Sequence, residues 1–245
     1  MENLHTDYYD ITSYHADFMR QLSPVSLFCF LQESAGQHAH SKGFGWSHLA
    51  ERNEFWVLAK MHVRIRRMPD WREKIRLETW GKEAELLTAF RDFEFFDANN
   101  QSIILATSSW HILNSQTHRP IALSHFANDF LLLNRHAIAE KPQKISVPPS
   151  ETIKSAAHAI LPSDIDMNQH VNNTKYVQWA MDCIEFEFQK QHLLCEISVN
   201  FLSETRMGEC YFIESYQNEL TFTHVIVSEK DNRRLATVES KWKRQ

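Results

Sequence analysis

The sequence predicts an α+β protein built from two tandem domains, each a long helix followed by curved antiparallel strands. Three observations point there. Alternating apolar runs mark half-buried strands, and two breaker-free stretches with an apolar stripe mark helices. The order helix, then strands, also occurs twice within 245 residues, a length that suits two domains.

In the first half, Ser23 and Pro24 suit the N-cap and first-turn positions of a helix running without a breaker from Pro24 to His38. Val25, Phe28 and Leu31 give it an apolar side, and Ser34, Ala35 and Gly36 keep its end slim. Val57, Ala59, Met61, Val63 and Ile65 are then apolar at every second position, with Lys60, His62, Arg64 and Arg66 opposite. That is the pattern of an antiparallel strand with one face on a core. Ile75, Leu77 and Thr79 continue it. Leu87 to Phe96 and Ile103 to Leu113 follow, separated by the turn-like Asp97-Ala98-Asn99-Asn100.

Residues 137–160 are polar and hold Pro142, Pro148 and Pro149, so they read as a linker between domains 1–136 and 161–245. In the second domain Asn173 to Phe188 reads as one helix with Val177, Met181, Ile184 and Phe188 on a stripe. Ile197, Val199 and Phe201 begin the strands, and Cys210 to Tyr216, Leu220 to Ser228 and Arg234 to Trp242 follow. Lys230-Asp231-Asn232-Arg233 matches the turn at Asp97. Identity between the halves is slight, so the repeat is one of pattern.

Composition removes several function classes. Hydrophobic residues at 43% and charged residues at 23% are a globular balance. The five glycines form no G-x-G-x-x-G and no P-loop, and G-x-S-x-G is absent, which excludes nucleotide cradles and the α/β-hydrolase elbow. A net charge of −5 gives no general attraction to nucleic acid. Cys29, Cys183, Cys195 and Cys210 make no C-x-x-C pair and read as free thiols of a reducing cytosol. Met1 to Asp10 is polar and acidic, unlike a signal or transit peptide, and no apolar run approaches the ~20 residues of a membrane span. A cytoplasmic protein with no membrane partner is expected. His38-x-His40 has no third ligand nearby, so neither a metal nor an organic cofactor is expected.

The chemistry concentrates in Asp164-Ile165-Asp166-Met167-Asn168-Gln169-His170-Val171-Asn172-Asn173-Thr174-Lys175-Tyr176, just ahead of the second helix. A helix start offers backbone N–H groups and the positive end of its dipole, which can hold a carbonyl oxygen as it becomes an oxyanion. A nearby His, Asp or Glu can take a proton from water. Asn side chains can fix a water or a ligand carbonyl through paired donor and acceptor atoms. Taken one by one, Asp164 reads as a carboxylate ordering its turn, and Asn172 or Asn173 as an N-cap.

This stretch, D-x-D-x-N-Q-H-V-N-N-x-K-Y, resembles the active-site signature of the acyl-acyl carrier protein thioesterases, and Phe30 to Ala39 is similar to the first-helix region of that family. The resemblance is to the plant enzymes in motif, and a bacterial member is expected. It implies a double hotdog, each helix wrapped by a sheet and the two sheets joined edge to edge. It also implies hydrolysis of the thioester between a fatty acyl chain and a carrier protein's phosphopantetheine arm. The second domain carries the catalytic groups and the first contributes to the acyl pocket, both by analogy.

Residue by residue, Asp166, Asn168 and His170 match the family's catalytic Asp, Asn and His. The family's Glu-Cys pair falls 34 and 35 residues after the His, which is Glu204 and Thr205 here. Glu204 matches; Thr205 stands where the family has Cys. A thiol with pKa about 8.5 can be activated as a nucleophile far more readily than a hydroxyl, so general-base attack by water is the expected route. Either Glu204 or His170 would be the base, with Asp166 positioning its partner or the water and Asn168 orienting water or the carbonyl. The amides of Val171, Asn172 and Asn173 would hold the oxyanion. The rival readings are an acyl-CoA thioesterase and a non-catalytic acyl-binding double hotdog. A homodimer is left open. Arg64, Arg66, Arg67, Arg72, Lys74 and Arg76 read as a solvated strand face or as a docking face for an acidic carrier, with Lys241, Lys243 and Arg244 as a rival patch.

Overall fold

The computed structural model describes residues 3–126, 132–149 and 152–245, and divides into two compact units, Met1–Pro142 and Gln143–Gln245. Among the described residues no helix is long and apolar enough to cross a membrane.

The first unit opens with strand β1 (Leu4–Asp10), followed by helix α1 (Pro24–Ser41), a short helix α2 (Trp46–Ala50) and strands β2 (Glu54–Ile65), β3 (Lys74–Ala84), β4 (Ala89–Phe96) and β5 (Ser102–Asn114). The strands pair antiparallel in the order β1-β3-β4-β5-β2. The Ser23 hydroxyl caps α1 by accepting from Ser26 N at 3.1 Å, with Pro24 at the first helical position. Leu27, Phe28, Leu31, Ser34, Ala35 and His38 form its buried face. That face lies on the sheet: Phe30 stacks on Tyr9 at 4.1 Å and His38 on His5 at 5.5 Å.

The second unit contains two-residue strands β6 (Ile153–Lys154) and β7 (His158–Ala159), helices α3 (Asn173–Asp182) and α4 (Phe186–Gln191), and strands β8 (His192–Phe201), β9 (Cys210–Asn218), β10 (Thr221–Ser228) and β11 (Arg234–Arg244). Its order is β8-β11-β10-β9, with β6 and β7 both on the far side of β9. Strand for strand this is the topology of the first unit. Details repeat as well. Trp110 Nε1 donates to Ser108 Oγ at 2.7 Å on β5, and Trp242 Nε1 to Ser240 Oγ at 3.0 Å on β11. The matched turns place Asn100 at φ 59° and Asn232 at φ 55°, the left-handed region that Asn tolerates.

Two local expectations are corrected, and one strand is added. The expected single helix from Asn173 to Phe188 is broken at residues 183–185. The side-chain amide of Gln189 donates to the carbonyls of Met181 and Ile184 at 3.1 and 2.8 Å, satisfying groups the break exposes. The β2 alternation holds at Met61, Val63 and Ile65 but slips at a bulge between Leu58 and Lys60, so Leu58 is buried and Val57 and Ala59 are only half-buried. The polar N-terminal segment is β1, an edge strand in register with β3.

The segment read as a linker is packed on both sides of the division; its residues 150 and 151 lie outside the described residues. Across the sheet face of the first unit turned away from α1, Trp80 Nε1 donates to Arg135 O at 2.8 Å and Lys82 Nζ to Ile138 O at 2.7 Å. Asp92 Oδ2 accepts from Ala137 N at 2.8 Å. Lys82 and Asp92 themselves form a fully buried ion pair at 3.2 Å. Burial raises the Asp92 carboxyl, opposed by hydrogen bonds and by Lys82. In the second unit Asn200 accepts from Ile145 N at 2.8 Å and donates to Gln143 O at 3.2 Å.

Candidate active site

The Asp166 carboxylate folds the loop that follows it. Its Oδ1 accepts from the backbone N–H groups of Asn168 and His170 at 2.8 and 3.3 Å, while its own N–H donates to His170 O at 2.8 Å. Gln169 turns the chain with φ 64°. Asn168 is left exposed and His170 half-buried. Asn172 then caps α3, its Oδ1 accepting from Thr174 N at 2.9 Å and Thr174 Oγ1 at 2.8 Å, and Asn173 is the first helical residue. Asp164 is buried behind the loop. It accepts from Leu161 N at 2.9 Å and pairs with Lys175 at 3.4 Å.

The chain returns to this loop between β8 and β9. His170 Nε2 lies 3.2 Å from Glu204 Oε2, with the two side chains 20% and 32% exposed. Asp166, Asn168, His170 and Glu204 thus stand on two adjoining loops, with the imidazole and the Glu204 carboxylate in direct contact. The Glu204 loop is held by Arg233, whose guanidinium donates to Ser203 Oγ at 2.8 Å, Glu204 O at 3.0 Å and Glu209 Oε2 at 2.8 Å. Arg206 approaches the Glu204 carboxylate at 3.9 Å.

Thr205 is fully buried. Its Oγ1 accepts from Tyr176 OH at 3.0 Å, and its carbonyl accepts from Val171 N at 2.8 Å. Burial pushes the Tyr176 phenol up to about 12, so it stays a neutral donor. The expectation that Val171 and Asn172 offer open amides is corrected. Val171 N is bonded to Thr205 O and Asn172 N to Asp164 O, each at 2.8 Å, because the chain entering α3 is threaded between two loops. Tyr176 and Arg233 were not singled out by sequence. Tyr176 closes the motif and could have been read there; Arg233 carries no local signal.

The first unit contains the same loop without the same side chains. Asp17 Oδ1 accepts from Met19 N at 2.8 Å and Gln21 N at 3.2 Å, and Asp17 N donates to Gln21 O at 2.8 Å. Arg20 takes φ 61°. Leu22 N donates to Pro69 O at 2.8 Å, as Val171 N does to Thr205 O. Met19, Gln21 and Met68 therefore occupy the places of Asn168, His170 and Glu204. The loop is architecture; the imidazole and the second carboxylate are particular to the second unit.

Among the described residues no group of three His, Cys, Asp or Glu is placed to hold a metal ion. The basic cluster is laced with acids. Arg67 pairs with Glu73 at 2.6 Å and Asp97 at 3.2 Å, Arg76 with Glu78, Lys74 with Asp10 at 3.8 Å and Arg64 with Glu140 at 3.5 Å. Lys241 pairs with Glu196 at 2.9 Å.

Two helix-on-sheet units, with a His–Glu contact beside the start of the second unit's helix, define a two-unit α+β class of protein. The acyl-ACP thioesterase N-terminal domain model matches residues 2–129 and the C-terminal domain model residues 150–244. The chain belongs to the acyl-ACP thioesterase family. It is 32% identical over 191 residues to the chloroplastic oleoyl-acyl carrier protein thioesterase of Coriandrum sativum, covering 71% of this chain and 52% of that one. It is 28% identical over 212 residues to a chloroplastic acyl-[acyl-carrier-protein] hydrolase of Cuphea viscosissima, covering 81% and 51%. The chain spans about half the length of these curated relatives. In fold it is similar to the crystal structure of an acyl-ACP thioesterase from Bacteroides thetaiotaomicron, with TM-score 0.90, 24% identity and 98% of both chains covered. It is similar also to the 12:0-ACP thioesterase from Umbellularia californica, with TM-score 0.86, 20% identity and 100% and 99% covered.

Proposed function

We propose that this chain hydrolyses the thioester of fatty acyl-acyl carrier protein to free fatty acid and carrier protein by general-base attack of water. The observation that carries the reading is the 3.2 Å contact between His170 Nε2 and Glu204 Oε2, which joins a proton acceptor to a group that can orient it. In this reading Glu204, steadied by His170, takes a proton from water as the water oxygen bonds to the thioester carbon. The Asn168 amide donates to the carbonyl oxygen as it gains charge. Collapse breaks the C–S bond, and the proton held at the pair passes to the departing thiolate. Asp166 keeps Asn168 and His170 in place through the loop it closes. The burial of Thr205 and its bond to Tyr176 support a route without a covalent ester.

The test is steady-state hydrolysis of one acyl chain presented on a carrier protein and on coenzyme A, with wild type and Glu204→Gln. The expected result is a higher kcat/KM on the carrier, and a fall in kcat of about 10²-fold or more in the variant. Full turnover by Glu204→Gln refutes the mechanism; faster turnover of the coenzyme A ester refutes the carrier as substrate.

A further inference from the structure

The two loops of the first unit that repeat the candidate active site, between β1 and α1 and between β2 and β3, carry exposed rings. Tyr14 is 94% exposed, Phe18 47% and Trp71 39%, and all three stand on turns. The loops are tied together, Trp71 N donating to Arg20 O at 2.8 Å, Arg72 N to Ile11 O at 2.7 Å and Leu22 N to Pro69 O at 2.8 Å. The rings therefore share one end of the unit. Large apolar side chains grouped in the open mark contact sites, where single ones need no explanation. Cations stand among them. Arg20 and Arg72 pair with no acid among the described residues, and Arg72 lies over the Trp71 ring at 4.2 Å. Arg66, on the same loop as Arg72, donates to the carbonyl of Ser102 at 3.0 Å. The acids of these loops are engaged within them. Asp17 closes its turn, Asp70 accepts from Gln21 Nε2 at 3.2 Å, and Glu73 pairs with Arg67.

The fold does not require these residues. The turn 70–73 repeats as 206–209: Asp70 N donates to the Glu73 carboxylate at 2.9 Å, as Arg206 N does to that of Glu209 at 3.2 Å. Ile11 N likewise donates to Glu73 O at 2.9 Å, and Ile160 N to Glu209 O at 3.1 Å. Trp71 and Arg72 thus hold the places of Met207 and Gly208, and Phe18 and Arg20 those of Met167 and Gln169. Arg72 takes φ 71° where Gly208 takes φ 90°. That left-handed backbone is less favourable for a residue with a side chain than for glycine. Arg20 is left-handed as well, at φ 61°. Two exposed arginines occupy disfavoured backbone, and no ion pair within the chain stabilises them there.

We infer that this end of the first unit is a contact surface for a lipid bilayer containing anionic phospholipids. Trp, Tyr and Phe rings on turns suit the headgroup region, which is apolar on one side and wet on the other, and arginines meet its phosphates. A helix or strand of a protein partner is recognised by a groove or a sheet edge instead. A second copy related by a two-fold axis presents the same arginines and adds no anion to meet them. The expectation of no membrane partner rested on the lack of an apolar span, which a surface contact does not need. The inference is independent of the thioesterase reading, and its test uses no turnover. The whole protein is sedimented with sucrose-loaded vesicles of phosphatidylcholine, alone or mixed with phosphatidylglycerol. The expected result is binding at least about tenfold tighter to the mixed vesicles, since each arginine near an anionic surface adds about fivefold. Arg20→Gln with Arg72→Gln should lose about tenfold or more of that affinity. Tyr14→Ser with Trp71→Ser should lose about as much, while Met207→Ser, at the matching place in the second unit, binds as wild type. Should Trp71→Ser not fold, Tyr14→Ser alone carries the test, because that ring is almost wholly in the open. No binding to the mixed vesicles, equal binding to both kinds, or binding that survives the substitutions overturns the inference. So does a dimer, or a complex with a carrier protein, that the same substitutions dissolve while vesicles go unbound.

Discussion

Replacing Arg233 by Met should uncouple the Glu204 loop from the rest of the second unit. The guanidinium makes three charge-assisted hydrogen bonds, to Ser203, Glu204 and Glu209, at 2.8–3.0 Å. Buried, each would be worth about 1.5–3 kcal/mol. The side chain is 37% exposed, so solvent screening reduces the set to about 2 kcal/mol in total. If that energy holds Glu204 against His170 in the transition state, its loss lowers kcat by about 30-fold, since each 1.36 kcal/mol is tenfold. KM should change little, because the loop positions a reacting group and not the acyl chain. Arg233→Lys keeps the charge but not the fork, and should fall between wild type and Met. The assay is steady-state thioester hydrolysis, with the folded fraction of each variant measured alongside. Turnover of Arg233→Met within twofold of wild type, or a loss explained by unfolded protein, refutes the reasoning.

Thr205→Ala should leave turnover nearly intact while costing about 1–2 kcal/mol in urea denaturation, because the Tyr176 hydroxyl loses a buried acceptor. Abolished turnover in a stable variant would instead restore a covalent route. Lys82→Met should destabilise the protein by about 3–5 kcal/mol in the same assay, since it strands the buried Asp92 carboxylate. His224 is buried on β10, and burial lowers its pKa from 6.5 to about 4. The unfolded chain therefore takes up a proton before the native one. The stability contribution is full above pH 6.5 and is lost as pH falls through the window down to 4, by up to ~3 kcal/mol. His224→Phe should flatten denaturant-measured stability across that window; an unchanged pH slope would rule this origin out.

The strands and the two main helices were legible because their burial follows period 2 or 3.6, as at Met61, Val63 and Ile65 or Leu27, Leu31 and Ser34. β1 was not, because the positions that alternate toward α1 are His5, Asp7 and Tyr9, so no apolar period marks the strand. The break after Asp182 was hidden because Ile184 stays buried and continues the stripe across it. In the site, Asp166, Asn168 and His170 were readable as one contiguous motif. Glu204 was reached through the spacing implied by resemblance. Arg233 acts through contacts across 24 to 30 residues of chain, which no local pattern encodes. The amides of Val171 and Asn172 were misjudged because a helix start exposes donors only where no neighbouring carbonyl reaches them.

The paired loops at Asp17 and Asp166 give the molecule its own control specimen. Asn in place of Asp17 disturbs the same three-bond turn as Asn in place of Asp166, but in a setting without the paired imidazole and carboxylate of His170 and Glu204. Whatever the first substitution does to the protein is mechanical; whatever more the second does to catalysis belongs to the reaction. The repeated loop puts the blank and the sample in one polypeptide, to be measured under identical conditions.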